Sequence, residues 1–184
     1  DLVLELHIGQ LCEGAGMLVL QRASNAGTRA RARLLGAGVA YDGAMLADEE
    51  GGEALEQAVA GALQRAGIGA GSIDAVHAHA AGTRKGDAIE AAVLARILGS
   101  RRAPVHSSKA TFGHTLGASG GIELALAVES LGLGIVPPTA NLERPDPAFS
   151  LELPRAAQER PLKVLLKTAS AMGGLHAALL LGRP

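Results

Sequence analysis

Apolar residues at 55, 58, 59, 62, 63 and 66 of "GGEALEQAVAGALQRAGI" recur at helical spacing, which predicts a helix over 51–68 that Gly67 stops. Ahead of it, "AGMLVLQ" (15–21) is a short run rich in Val and Leu and predicts a buried strand. Across the polar turn "RASNAGTR", the segment "ARARLLGAGVAY" (30–41) predicts a second strand that pairs with the first as a hairpin. "IDAVHAH" (73–79) predicts a strand, and "GDAIEAAVLARILG" (86–99) an amphipathic helix with Asp87 in its first turn. A brief strand follows at "APVHS" (103–107). "ASGGIELALAVESLGLG" (118–134) is apolar nearly all round, which predicts a helix lying buried rather than on the surface. Four prolines keep "VPPTANLERPDPAFSLEL" (136–153) out of regular structure and make it an extended surface loop. "LKVLLKTAS" (162–170) and "LHAALLLG" (175–182) complete the pattern as two strands joined by "AMGG". Strands alternate with helices in the middle and pair at both ends, so the expected class is α/β with a mixed sheet, one domain over 1–184, without repeats.

Composition narrows the function classes. Apolar residues make up 48% of the chain, enough for a core, and with no Trp, one Tyr and two Phe that core is aliphatic. Net charge is −1, with 17 basic and 18 acidic residues interspersed, so no nucleic-acid surface and no basic membrane patch is expected. The alternating "RARAR" at 29–33 reads as a solvated strand edge. A single cysteine, Cys12, excludes an internal disulfide and points to a reducing compartment. The start lacks a basic leader segment, and no run reaches the roughly 18 apolar residues of a membrane helix. A cytoplasmic location and no membrane partner are the expectation.

Candidate chemistry gathers in two loops. His79 ends a strand, where open α/β sheets place their ligand sites, and His114 follows a second strand in "HSSKATFGH". Two neutral imidazoles converging there offer two N–H donors to a developing oxyanion. Lys109 nearby favours the neutral rings, because like charge opposes protonation. Glu123, on a helix expected to be buried, needs a partner, and Lys109 can supply it. Taken as residues alone, this set fits a site and fits hydrogen-bonding loop residues equally. A metal held by His77, His79, His106 and His114 is the weaker reading, since Lys109 would repel a cation. "EGAG" (13–16) lacks the glycine spacing of a phosphate loop and precedes a strand instead of following one.

The motifs "EGAGMLVL", "AHAAGTRKGD", "SSKATFGHTLGASGGIE", "VPPTANLERPDP" and "GGLHAAL" run collinearly over nearly the whole chain. In that order they resemble the carboxyl-terminal half of a β-ketoacyl-[acyl-carrier-protein] synthase, the condensing enzyme of fatty acid and polyketide synthesis. The family patterns "AHGTGTxxGD" and "SxKxxxGHxxGAxGxxE" place His79, Asp87, Lys109, His114 and Glu123 on matching positions. The resemblance implies a thiolase-like fold, in which two mixed-sheet halves sandwich a pair of central helices, one of them 118–132. It also implies decarboxylative Claisen condensation with malonyl-acyl-carrier protein. His79 and His114 would then hold the malonyl thioester carbonyl, Lys109 and Glu123 the electrostatic pair behind them, and Asp87 the order of the loop. Thr83 would contact the phosphopantetheine arm of the acyl-carrier protein, with no cofactor of the chain's own, and Met172 and Gly173 would border the acyl pocket. The implied partners are an amino-terminal half that carries the cysteine nucleophile, the acyl-carrier protein, and a second copy of the complete synthase.

The departures are specific. Cys12 stands where the family has glycine before "EGAG" and reads as a buried structural thiol rather than a nucleophile. Ala81 replaces the first threonine of "GTGT". "NSFGFGGTNA" becomes "TASAMGGLHA", with Ser170 and Met172 where the family has phenylalanines. Residues 1–11 match no part of the pattern. A noncatalytic, chain-length-factor-like subunit is the alternative function, and the histidine pair, usually absent from such subunits, argues against it.

Overall fold

A computed structural model of the chain describes residues 11–43 and 52–184. Residues 1–10, read as carrying no leader, and residue 51, expected to open the first long helix, lie outside the described residues. In chain order the elements are α1 (Ala23–Ala26), β1 (Arg33–Tyr41), α2 (Glu53–Ala66), β2 (Ala75–His77), α3 (Arg84–Leu98), β3 (Val105–His106), α4 (Lys109–Phe112), α5 (Ser119–Leu133), β4 (Ile135–Val136), β5 (Gln158–Glu159), β6 (Val164–Ala171) and β7 (Leu175–Gly182).

Five strands form one mixed sheet in the order β1-β7-β6-β2-β3, antiparallel across β1/β7 and β7/β6 and parallel across β6/β2 and β2/β3. The amphipathic helix α2 buries Leu55, Ala58, Val59 and Ala62, and with α3 it covers one face of the sheet. It sits directly on β1 because Gly36 and Gly38 present no side chain: a Cβ at Gly38 would stand 2.8 Å from the Ala62 backbone nitrogen. Gly67 closes α2 in the left-handed conformation, its N–H on Gln64 O and that of Ile68 on Leu63 O. Helix α5 covers the other face, where Ala127 and Leu131 pack with Ala75, Leu162, Leu165 and Leu181.

Four expectations need correction. The predicted strand at 15–21 does not form, and neither does its hairpin with 30–41; β1 pairs with β7 instead, Ala37 opposite Leu179 and Tyr41 opposite Leu175. Segment 12–20 runs irregularly along the start of α5, with the Cys12 N–H on His114 O and Gly16 packed against Gly121. Its apolar side chains therefore face outward, Met17 at 91% exposure. Cys12 is consequently exposed and not a buried thiol. Helix α5 forms as expected but is buried along one face only, at Ser119, Glu123, Ala127, Ser130 and Leu131, which recur every three or four residues. Finally, Leu116–Leu133 is long and apolar enough, by length and composition, to cross a membrane, although no such run was expected. Its sheet-facing side carries Glu123, which pairs with Lys109 and Lys167.

Candidate active site

Alternation along β6 decides what reaches the interior on each side of the sheet. Leu165 and Lys167 face α5, while Leu166 and Thr168 face the α2/α3 layer. The parallel register sets Lys167 beside His77 on β2, and His77 beside His106 on β3. His79 follows β2 by two residues, at the carboxyl end of a strand with parallel neighbours. Lys109 opens α4, a single helical turn inside the segment expected to be a loop, and His114 lies in the loop between α4 and α5.

His79, Lys109, Glu123 and His114 come together. Lys109 Nζ is 2.5 Å from Glu123 Oε1, donates to the carbonyl oxygen of His79, and lies 3.5 Å from His79 Nδ1. Lys167 Nζ pairs with the other carboxylate oxygen, Glu123 Oε2, at 2.7 Å. The His79 and His114 rings meet edge to face with centroids 5.5 Å apart.

The hydrogen bonds fix the tautomers. An ammonium can only donate, so Nδ1 of His79 is the acceptor facing Lys109, and its proton sits on Nε2. At His114, the Leu116 N–H donates to Nδ1 at 3.1 Å, and Ser119 Oγ lies 3.0 Å from the same atom. That ring also carries its proton on Nε2. Both rings are held neutral. Burial, then Lys109 and Lys167, push His79 down to about 3, and burial, then Lys109, lower His114. Two neutral Nε2–H groups thus stand on neighbouring loops.

The backbone of His79 is gripped as firmly as its ring. Glu90, buried on α3, accepts the His79 N–H at 2.9 Å on Oε1 and the Ala80 N–H at 2.7 Å on Oε2. Thr168 Oγ donates to Glu90 Oε1 at 2.6 Å and accepts the His79 N–H at 3.2 Å. Ala80 needs this grip, because its φ of +34° is left-handed backbone that favours glycine, and the motif "AHGTGT" has glycine at that position. Asp87 accepts the Gly82 N–H at 3.2 Å and closes the same loop. Burial, then the Glu90 charge, raise its carboxyl to about 6.

Thr83 precedes α3 as its N-cap residue and is half-buried. Met172 stands on the β6–β7 turn, 83% exposed, with Gly173 beside it at φ +90°. That turn begins four residues beyond Thr168, at the end of β6. His77 and His106 stack with centroids 4.4 Å apart, and no group of three or more His, Cys, Asp or Glu is placed to hold a metal among the described residues. Glu90, Lys167, Thr168 and Ser119 escaped the sequence reading. Two of them left a signal, a glutamate inside "AIEAAVLA" and a lysine inside "VLLKTA", each a charge within an apolar run.

Residues 31–143 match the family model described as β-ketoacyl synthase, C-terminal domain. The chain is 39% identical over 180 residues to a Streptomyces coelicolor protein named actinorhodin polyketide β-ketoacyl synthase 1, covering 93% of this chain and 38% of that protein. It is 35% identical over 177 residues to 3-oxoacyl-[acyl-carrier-protein] synthase 2 of Mycobacterium tuberculosis, covering 93% and 42% respectively. Among solved structures it superposes on the ishigamide ketosynthase/chain length factor with a TM-score of 0.87 and 29% identity, over 93% of this chain and 43% of that one. The chain therefore spans about two fifths of the length of these relatives.

Proposed function

The chain belongs to the β-ketoacyl synthase family, matching its carboxyl-terminal domain and thiolase-like fold, and on that premise we propose that it supplies the decarboxylation half of a condensing enzyme's active site. The observation that carries this is the pair of neutral Nε2–H donors on His79 and His114. An imidazole kept neutral to about pH 3 at His79 acts as a hydrogen-bond donor and not as an acid at physiological pH.

The substrate is a malonyl thioester on the phosphopantetheine arm of acyl-carrier protein, and the chain needs no cofactor of its own. The two Nε2–H groups hold the thioester carbonyl oxygen. The malonyl carboxylate departs as carbon dioxide, and the electron pair of the broken C–C bond becomes an enolate whose oxygen the same donors stabilise. The enolate carbon then attacks an acyl-cysteine carbonyl and expels the cysteine thiolate. That cysteine comes from the amino-terminal half, whose docking would also cover the outward apolar side chains of segment 12–20. Thr83 contacts the pantetheine arm, Asp87 orders the loop that carries it, and Met172 and Gly173 border the acyl pocket. The complete synthase works as a dimer.

The test uses the complete synthase and measures carbon dioxide release from malonyl-acyl-carrier protein. His79→Ala and His114→Ala each remove one donor and are expected to slow release by roughly 10²–10³, with acyl transfer to the cysteine less affected. Release at wild-type rates in both variants overturns the oxyanion reading and favours the noncatalytic, chain-length-factor-like one.

A further inference from the structure

A lysine inside a central strand is costly unless something holds it. Lys167 lies on β6, which has neighbours on both sides, and its side chain is 1% exposed. Leu165, two residues earlier on the same strand face, packs in the apolar layer beneath α5. A leucine or methionine at 167 would continue that layer at no desolvation cost.

The contacts of Lys167 close a ring. Its Nζ pairs with Glu123 Oε2 and donates to the carbonyl oxygen of Thr168. Thr168 Oγ bonds Glu90 and the His79 N–H, Glu90 holds His79 and Ala80, His79 receives Lys109 at its carbonyl oxygen and at Nδ1, and Lys109 returns to Glu123. Within this ring two carboxylates, Glu123 and Glu90, alternate with two ammoniums, and their charges cancel; Asp87, half-buried on the Gly82 N–H, lies outside it. We propose that Lys167 is a positioning residue for His79: it balances Glu123, so that Lys109 keeps its donors on His79 and the imidazole stays neutral with its proton on Nε2.

Charge counting explains why one lysine is not enough. With Lys109 alone, Glu123 and Glu90 leave the buried cluster one negative charge in excess, and the excess disappears when His79 takes up a proton. A protonated His79 loses the Nδ1 acceptor that faces Lys109. The groups around His79 are Lys109 from α4, Lys167 and Thr168 from β6, Glu123 from α5, Glu90 and Asp87 from α3, His114 from the α4–α5 loop, and His77 at the end of β2 with His106 beyond it. Lys109 and Lys167 depress the His79 pKa while Glu123 raises it, in keeping with this balance.

The proposal rests on His79 acting as a neutral donor, and its test does not need activity. Histidine tautomer and titration are read by two-bond proton–nitrogen NMR on the ¹⁵N-labelled 184-residue chain, with His79→Gln used for assignment. Lys167→Gln keeps a polar N–H donor on the strand but loses the charge. It should raise the His79 titration midpoint by about one pH unit or more. Lys167→Met combined with Glu123→Gln removes one charge of each sign and should return the midpoint to within about half a unit of wild type. An unmoved midpoint in Lys167→Gln, or a midpoint in the double variant as high as in the single one, overturns the proposal. If Lys167→Gln moves the midpoint but leaves the low-pH limb of carbon dioxide release by the complete synthase in place, Lys167 still positions His79, and the oxyanion reading of His79 is what fails.

Discussion

Replacing Glu123 with glutamine would strand two buried ammoniums at once. The side chains of Lys109, Lys167 and Glu123 are only 6%, 1% and 4% exposed, so water cannot take over the carboxylate's role. Removing one partner of a buried pair typically costs about 3–5 kcal/mol. The amide oxygen can still accept one hydrogen bond, so a loss of about 4 kcal/mol at neutral pH is expected. That is a large share of the stability of an ordinary domain. The loss should also depend on pH, with a sign that can be worked out. Burial already lowers the Lys167 pKa, and Glu123 is what holds it up. Without the carboxylate the folded-state pKa falls further below the unfolded value of about 10.4. Between those two values the unfolded chain binds the extra proton, so the variant gains stability as pH rises, at up to about 1.4 kcal/mol per pH unit. This window opens at lower pH in the variant than in the wild type, and the deficit should shrink toward about pH 9.5. With no Trp and one Tyr, urea unfolding is best followed by far-ultraviolet circular dichroism. A loss under about 1 kcal/mol at neutral pH, or a deficit that stays constant with pH, would refute the reasoning.

Acid should destabilise the wild-type chain well before its surface carboxylates protonate. His79 and His106 are depressed to about 3 and about 4, so below about 6.5 the unfolded chain binds protons that the folded chain refuses. Near pH 5 each costs about 2 kcal/mol; Asp87, raised to about 6, works in the opposite direction but is partly screened by solvent. Urea midpoints that stay flat from about pH 7 to 5 would contradict this. Gly38→Ala should cost about 2 kcal/mol or more, because its Cβ would collide with the Ala58 carbonyl oxygen of α2 and stand 2.8 Å from the Ala62 nitrogen, whereas Gly71→Ala, with open space around it, should be nearly neutral. Equal melting temperatures for the two variants would show that α2 can shift away from β1.

Local patterns decided much of this fold. The 3.6-residue spacing in 53–66 and 84–98, and the apolar runs of β6 and β7, act within one element and need no knowledge of the rest. The motif residues His79, Lys109, His114 and Glu123 were legible for a similar reason, since their spacing along the chain identified them before any contact was known. Partnership was not legible. Segment 15–21 has a strand's composition, but composition cannot name the edge it pairs with, and β1 went to β7, far along the chain. The outward face of 12–20 and the exposure of Cys12 follow from that one choice. Helix α5 reads as buried all round because hydropathy counts apolar atoms and not neighbours; the described residues cover only its sheet-facing side. The ring around His79 was the least accessible feature. Glu90, Lys109, Glu123 and Lys167 come from four elements, and only the register of β6 on β2 and the seating of α3 and α5 bring their charges together. A buried carboxylate states in sequence that it needs a partner; the tertiary structure alone decides which lysines answer it.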